Sequence, residues 1–327
     1  MRAGEGRLVP APARLESTGV THAAGVDLAG TKMVAMRLSL RQVAAGGRSR
    51  LREALAGLVD RPYLPIPADD TDLFLVSYPK SGVNWLKWLM ATANLRLSGD
   101  PREITFFNHS DFIADLHSVR RVGPPGLAVP GCRCFTSHAP WMRRYRKVIY
   151  LVRDPRHVMP SYHTHLTSRR AWQGTLEQLV AHEQYGIRAW VNHVGGWLDR
   201  VDATASFTLL RYEDLRARTA EELIRIYGLL GWRLDAAMAT QVVAQVSPQR
   251  MREDEARFNE GHPKRRGTEF VRKGAFGGPR QPVPASLLRQ IEAEAGPLMK
   301  RLGYLGDEAE SASPRERVRL ASPGGLR

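Results

Sequence analysis

The sequence predicts an α/β fold in three layers, with a central parallel sheet flanked by helices. Two observations carry that reading. Short apolar runs at Leu73–Val76, Val148–Val152 and Phe207–Leu210 have strand length and no polar alternation, as strands covered on both faces do. Each is followed closely by a segment with helical spacing or helix-start residues, and strand–helix alternation of this kind builds parallel sheets.

The 327 residues, 43% of them hydrophobic, suffice for one large domain with tails. Lys and Arg outnumber Asp and Glu by 48 to 33, a formal charge of +15 that attracts phosphates, sulfates, nucleic acid or membrane surfaces and selects none of them. Part of the excess sits in Arg315, Arg317, Arg319 and Arg327, where a solvated tail accounts for it. Cys132 and Cys134 are i, i+2 neighbours, on one side of a strand but badly placed to bond each other, so no disulfide framework is implied. No stretch has the length of apolar residues needed to span a bilayer, and the N-terminus has no basic-then-apolar export pattern. The expected location is cytoplasmic.

Residues 1–32 are rich in Gly, Ala and Pro without a period, and 37–59 carry a weak helical pattern broken at Gly46-Gly47. After the strand at Leu73–Val76 a helix is expected, capped by Asn84, with Trp85, Leu86, Leu89, Met90, Ala93 and Leu97 as its buried stripe. A strand at Arg133–Phe135 precedes the second unit. In that unit Pro155 suits a first helical turn, and Pro160 is expected to kink the helix or end it near Tyr162. Leu176–Trp197 reads as a substantial helix carrying Leu179, Tyr185, Trp190, Val194 and Trp197. The third unit's helix opens with Thr219 and Glu222 in capping-box spacing and stops at Gly231. The polar, basic, Gly/Pro-rich stretch 254–283 reads as a long loop able to close over a ligand, and Pro284–Leu302 as a terminal helix.

The segment Tyr78-Pro79-Lys80-Ser81-Gly82-Val83-Asn84-Trp85 joins the first strand to its helix, where backbone N–H groups and the helix dipole favour an anion. Gly82 lets the backbone approach a phosphate, Ser81 and Asn84 offer side-chain hydrogen bonds, and Lys80 brings a charge. The loop is P-loop-like but is not the nucleotide P-loop, because Lys80 precedes the glycine and G-x-x-x-x-G-K-[ST] is absent. An ordinary strand–helix turn with a solvated lysine has the same local appearance.

This segment resembles the 5′-phosphosulfate loop of the sulfotransferases that use 3′-phosphoadenosine 5′-phosphosulfate (PAPS), whose usual form is Tyr-Pro-Lys-Ser-Gly-Thr, a small polar residue and Trp. The resemblance assigns Lys80 to the sulfate side of the donor and Trp85 to the adenine pocket, and Val83 lacks the usual hydroxyl. Tyr150–Tyr162 resembles the family's 3′-phosphate segment, which implies that Arg153 and Ser161 hold that group. Leu210-Arg211-Tyr212-Glu213-Asp214-Leu215 resembles the segment whose tyrosine, here Tyr212, lies near the nucleotide. Phe270-Val271-Arg272-Lys273-Gly274 resembles the late motif whose Arg272 and Lys273 would grip the 3′-phosphate while Gly274 lets the loop close; Gly277-Gly278-Pro279 follows it in place of Gly-Asp-Trp. On this resemblance residues 69–305 form the sulfotransferase domain, 1–68 a partly disordered N-terminal extension and 306–327 a disordered tail.

Sulfuryl transfer needs both oxygens positioned in line, charge compensation on the leaving phosphate, and a base for the acceptor. Thr136-Ser137-His138-Ala139-Pro140 resembles the family's Lys-Thr-His-x-Pro segment, which makes His138 the base, and leaves Thr136 where many members carry a second lysine. Lys80 then carries more of the charge stabilisation. Asp111, Asp115, His109 and His117 are lesser candidates for assisting the base. Phe106–Phe112 and Val122–Pro130 are candidate walls of an acceptor pocket, whose ligand, a small molecule or glycan, the sequence does not identify. His163 and His165, two apart on a helix, share no face, and no metal is assigned. The expected co-substrate is PAPS and its product 3′,5′-adenosine bisphosphate; neither a nucleic-acid partner nor a membrane span is expected, and the oligomeric state is open. Two alternatives remain: a small-molecule P-loop-like kinase, and a catalytically idle binder of nucleotides or polyanions.

Overall fold

The strand Leu73–Ser77 (β1) sends Leu73 and Leu75 into one half of the core and Phe74 and Val76 into the other, and all five of its residues are buried. This is the pattern of a strand covered on both faces. The computed structural model describes residues 69–116, 133–261 and 283–306. The expectations for residues 1–68, for His117, Cys132, Val122–Pro130 and Arg272–Gly274, and for the tail beyond residue 306 lie outside the described residues.

After β1 come α1 (Val83–Leu97), α2 (His109–Phe112), β2 (Ala114–Asp115), β3 (Cys134–Ser137), β4 (Lys147–Val152), α3 (Pro155–Ser168), α4 (Leu176–Ala181), α5 (Ile187–Leu198), β5 (Ser206–Arg211), α6 (Tyr212–Ala217), α7 (Thr219–Leu229), α8 (Ala236–Gln245), α9 (Pro248–Gly261) and α10 (Ala285–Arg301). The strands form one sheet in the order β2-β3-β1-β4-β5, every neighbouring pair parallel. On one face Leu73, Leu75, Ile149, Leu151 and Leu210 meet Leu86, Leu89 and Met90 of α1, Ile226 of α7 and Val242 of α8. On the other, Phe74, Val76, Val148, Tyr150, Val152 and Phe207 meet Val158 and Met159 of α3, Trp190, Val194 and Trp197 of α5, and Ile291 and Met299 of α10. The three-layer α/β expectation is met. Because all strands are parallel, the loops after β1, β3, β4 and β5 emerge at one edge, where ligands of such sheets bind.

Local expectations fared less evenly. Gly231 ends α7 as expected: its φ is 80°, and Trp232 N–H donates to the Tyr227 carbonyl at 2.8 Å while Gly231 N–H donates to that of Gly228 at 3.1 Å. The capping box at the other end of α7 does not form. Glu222 is turned to Arg225, 2.7 Å away, instead of back to the helix start. The single helix expected over Leu176–Trp197 is two, because the chain turns at His182–Gly186; a Cβ at Gly186 would lie 2.2 Å from the Val180 carbonyl oxygen and 2.5 Å from that of His182. Helix α3 continues eight residues past Pro160 to Ser168, since Val158, Met159 and Pro160 are buried and their packing outweighs one missing backbone hydrogen bond. Residues 254–261, read as loop, belong to α9, where buried Met251, Asp254 and Glu255 recur at helical spacing.

Candidate active site

The chain leaves β1 through Tyr78 and Pro79 and turns twice into left-handed backbone, at Lys80 (φ 69°) and Gly82 (φ 100°). A lysine in that region is uncommon, and strain of this kind collects at functional sites. The two reversals set consecutive N–H groups around a concavity, the geometry that receives anions. Gly82 is the residue before α1, and no side chain caps that helix. Asn84, expected as the cap, is instead the second residue of α1; the cap position falls to Gly82 because the turn needs a positive φ, which an asparagine two residues later cannot supply. Val83 is buried among the core residues, 4% exposed, so its side chain is turned into the core.

Two further segments, those after β4 and β5, reach the same edge. Arg153 follows β4, and its guanidinium carbon stacks 4.4 Å above the Tyr212 ring while its Nη1 donates to the Lys80 carbonyl at 3.4 Å. Tyr212 follows β5 and lies against both Gly82 and the Trp85 ring, the latter at 6.0 Å between centroids. Ser161, half-buried, lies in the middle of α3, whose first turn is capped by Asp154. The backbone beyond Arg153 is held by Glu213: Asp154 N–H donates to Oε1 at 3.1 Å and Tyr304 O–H to Oε2 at 3.0 Å. Burial raises the Tyr304 phenol well above its ordinary pKa, so it stays a donor.

Two polar atoms of this cluster, Ser81 Oγ and Arg153 Nε, are buried and have no hydrogen-bond partner. Orphans of this kind are rare in native structures, and these two lie on adjacent strand ends beside an uncapped helix N-terminus, where donors can meet an anion.

His138 stands one residue beyond β3. Its Nδ1 lies 2.7 Å from the Ser77 carbonyl oxygen and 3.4 Å from Ser77 Oγ. A carbonyl only accepts, so Nδ1 carries the proton and Nε2 is the basic nitrogen of the neutral ring. Thr136 is buried, its Oγ1 directed at the Ala114 carbonyl at 3.5 Å. Of the acceptor-wall candidates, Phe106 packs against Trp88 at 4.9 Å and against Phe258 of α9 at 6.1 Å, so α9 contributes to this wall, which no local pattern indicated. Asp111 is exposed, whereas Asp115 and His109 are half-buried. His163 donates from Nε2 to the Gly174 carbonyl at 3.0 Å, a structural tie.

Sequence reasoning passed over two residues here. His193 of α5 bonds the His138 main chain at 3.1 Å, and only the fold brings them together. Lys87 of α1 is 1% exposed, and burial lowers its pKa to about 8 against the opposing pull of Asp115. A lysine within the apolar stripe Leu86–Met90 was its signal in the sequence.

The chain is similar in sequence to known sulfotransferases and in fold to solved structures. Rat sulfotransferase 2A6 is 31% identical over 206 residues, covering 57% of this chain and 68% of that relative, and mouse sulfotransferase 2A1 is 28% identical over 227 residues, covering 64% and 77%. Among solved structures, a retinol dehydratase in complex with retinol and PAP superposes with a TM-score of 0.58 at 18% identity, over 74% of this chain and 85% of that one. Mouse sulfotransferase SULT7A1 complexed with PAP gives 0.53 at 19% identity, over 74% and 88%. The family model of the sulfotransferase domain matches residues 70–303, which take in every strand of the sheet and all of its helices, and the chain belongs to the sulfotransferase domain family.

Proposed function

We propose that this sulfotransferase takes its sulfuryl group from PAPS and passes it to a hydroxyl or amine of a small-molecule or glycan acceptor, with His138 as base and Lys80 compensating charge on the leaving phosphate. The observation that carries the donor is the pair of partnerless buried atoms, Ser81 Oγ and Arg153 Nε, flanking the Gly82 turn. They suit a ligand with two anionic groups, and PAP, the desulfated product, accompanies the solved neighbours. Retinol dehydratase also holds small organic ligands, retinol in that structure and androsterone in another.

In this reading the backbone of Ser81, Gly82 and Val83 with the Ser81 and Asn84 side chains receives the 5′-phosphate, and Trp85 and Tyr212 flank the base. Arg153 and Ser161 hold the 3′-phosphate, with Arg272, Lys273 and Gly274 expected to complete that grip. PAPS supplies an electron-poor sulfur whose bond to the phosphate oxygen breaks as the acceptor oxygen bonds to it. His138 Nε2 takes the acceptor's proton, while Nδ1–H, held by the Ser77 carbonyl, keeps the ring aimed and stabilises the imidazolium. With Val83 buried and threonine at 136, Lys80 and the N-terminus of α1 are the charge stabilisers nearest the leaving group. The sulfotransferase domain is proposed to span residues 69–305. Among the described residues no helix is long and apolar enough to cross a membrane.

A thermal-shift titration tests the donor. 3′,5′-Adenosine bisphosphate is expected to raise the midpoint in proportion to the logarithm of its concentration, and ADP much less. Better protection by ADP with Mg²⁺ overturns the reading in favour of a kinase. For the base, His138→Ala is expected to lower turnover roughly 10²-fold or more with nucleotide binding intact. Full activity in that variant removes His138 from the role.

A further inference from the structure

His138 lies one residue past the end of β3 and two residues before Pro140, and helix α5 reaches its main chain. His193 Nε2 lies 3.1 Å from the His138 carbonyl oxygen, and Trp197 Nε1, one turn further along the same face, donates to the Ala139 carbonyl at 3.1 Å. Since the carbonyl only accepts, His193 carries its proton on Nε2, and its Nδ1 must accept. The Tyr150 hydroxyl on β4 donates to it from 2.8 Å. Tyr150 is fully buried, which raises its phenol pKa and keeps it a donor, so the His193 tautomer is set from the middle of the sheet. The His193 ring also meets Tyr78, first residue of the phosphate loop, edge to face at 5.7 Å.

We propose that His193 is a positioning residue for the transfer reaction, fixing the main chain that carries His138 relative to the phosphate loop and acting only through His138. This rests on His138 being the base. A base displaced by about 1 Å can lose some 10²-fold in rate while leaving donor binding untouched. A residue whose only task is to hold the core together would instead lower stability and donor affinity together.

The test compares His193→Phe, His193→Gln and Tyr150→Phe with the unaltered enzyme. Labelled PAPS is supplied with whichever acceptor turns over fastest in a panel of phenols, sterols and amino sugars. His193→Phe is expected to lower kcat about 10- to 100-fold with KM for PAPS changed less than about threefold. His193→Gln, which keeps an amide N–H near the Nε2 position, should restore kcat to within a fewfold. Tyr150→Phe, which frees the tautomer but keeps the ring, should show a smaller loss of the same kind. The double variant His138→Ala/His193→Phe should be no slower than His138→Ala alone, because a residue acting through another adds nothing once that other is gone. An unchanged kcat in His193→Phe, or a further loss in the double variant, overturns the proposal.

Should His193→Phe fail to fold, Tyr150→Phe and His193→Gln still carry the kinetics. The His138 ring ¹⁵N–¹H signals, assigned by their loss in His138→Ala, give a readout without turnover: they are expected to move in both variants, and unmoved signals overturn the proposal. The two failures are distinguishable. If His138→Ala retains full activity, the base assignment falls; if it loses activity while His193→Phe keeps it, only the positioning role falls.

Discussion

The ring of Tyr212 fills the space that a side chain at Gly82 would need: a Cβ there would lie 2.6 Å from Tyr212 Cδ2 and 2.7 Å from Cε2. Two residues 130 positions apart in sequence thus specify one turn, and the same tyrosine carries the Arg153 guanidinium on its face.

Gly82→Ala is therefore expected to be costly twice over, through a left-handed φ of 100° and through displacement of Tyr212. Strain of this kind costs on the order of 1–3 kcal/mol. Calorimetric titration with 3′,5′-adenosine bisphosphate should show affinity lowered at least about tenfold, since a 1.4 kcal/mol loss is a factor of 10. Unchanged affinity in a folded variant means that the loop does not hold the donor.

Glu213 gives a second prediction. Removing its carboxylate in Glu213→Ala leaves Asp154 N–H and Tyr304 O–H without the acceptor they share, at about 1–3 kcal/mol of stability. Because the segment it holds carries Arg153, the affinity lost should be larger for 3′,5′-adenosine bisphosphate than for 5′-AMP, which has no 3′-phosphate. Equal losses for the two nucleotides, measured by the same titration, would separate Glu213 from the Arg153 site. Glu213→Gln keeps one acceptor oxygen and should fall between.

Lys87 makes a prediction about pH. Its folded pKa, about 8, lies below that of an unfolded lysine, near 10.5, because burial disfavours the charge. Between those two values the unfolded chain binds a proton that the folded chain does not, so this group's contribution makes stability rise with pH across that window; below pH 8 the penalty is constant. Lys87→Met removes the penalty and keeps the length of the side chain. The variant is expected to be more stable at pH 7 by on the order of 2 kcal/mol, with the gap narrowing toward pH 10. Urea unfolding at both pH values measures it, and a variant less stable at pH 7 would mean that the ammonium group is stabilised where it lies.

Much of the site was legible beforehand because its segments announce themselves locally. The run Leu73–Val76 ending in a Pro/Gly loop identified a buried strand and a strand–helix turn without reference to any other part of the chain, whereas Arg153 was singled out by the resemblance of its segment to the sulfotransferases. Where expectation and structure parted, a distant contact decided. Glu222 turned to Arg225 instead of capping its helix, Gly186 admitted a turn inside an otherwise continuous helical pattern, and burial of Val158 and Met159 carried α3 through Pro160.

The sequence by itself determined the layered α/β class and the strand–loop–helix units, since apolar periodicity and loop composition report on neighbours a few positions apart, and its resemblance to the sulfotransferases is what points to residues for sulfuryl transfer. The tertiary structure alone decided which tautomer His138 adopts and what aims it. Ser77 lies 61 residues before it and His193 55 after, and they meet it only because parallel pairing sets β1 beside β3 in one register and packs α5 across the sheet. Such pairings depend on register and packing across the whole domain, which no short window of sequence contains.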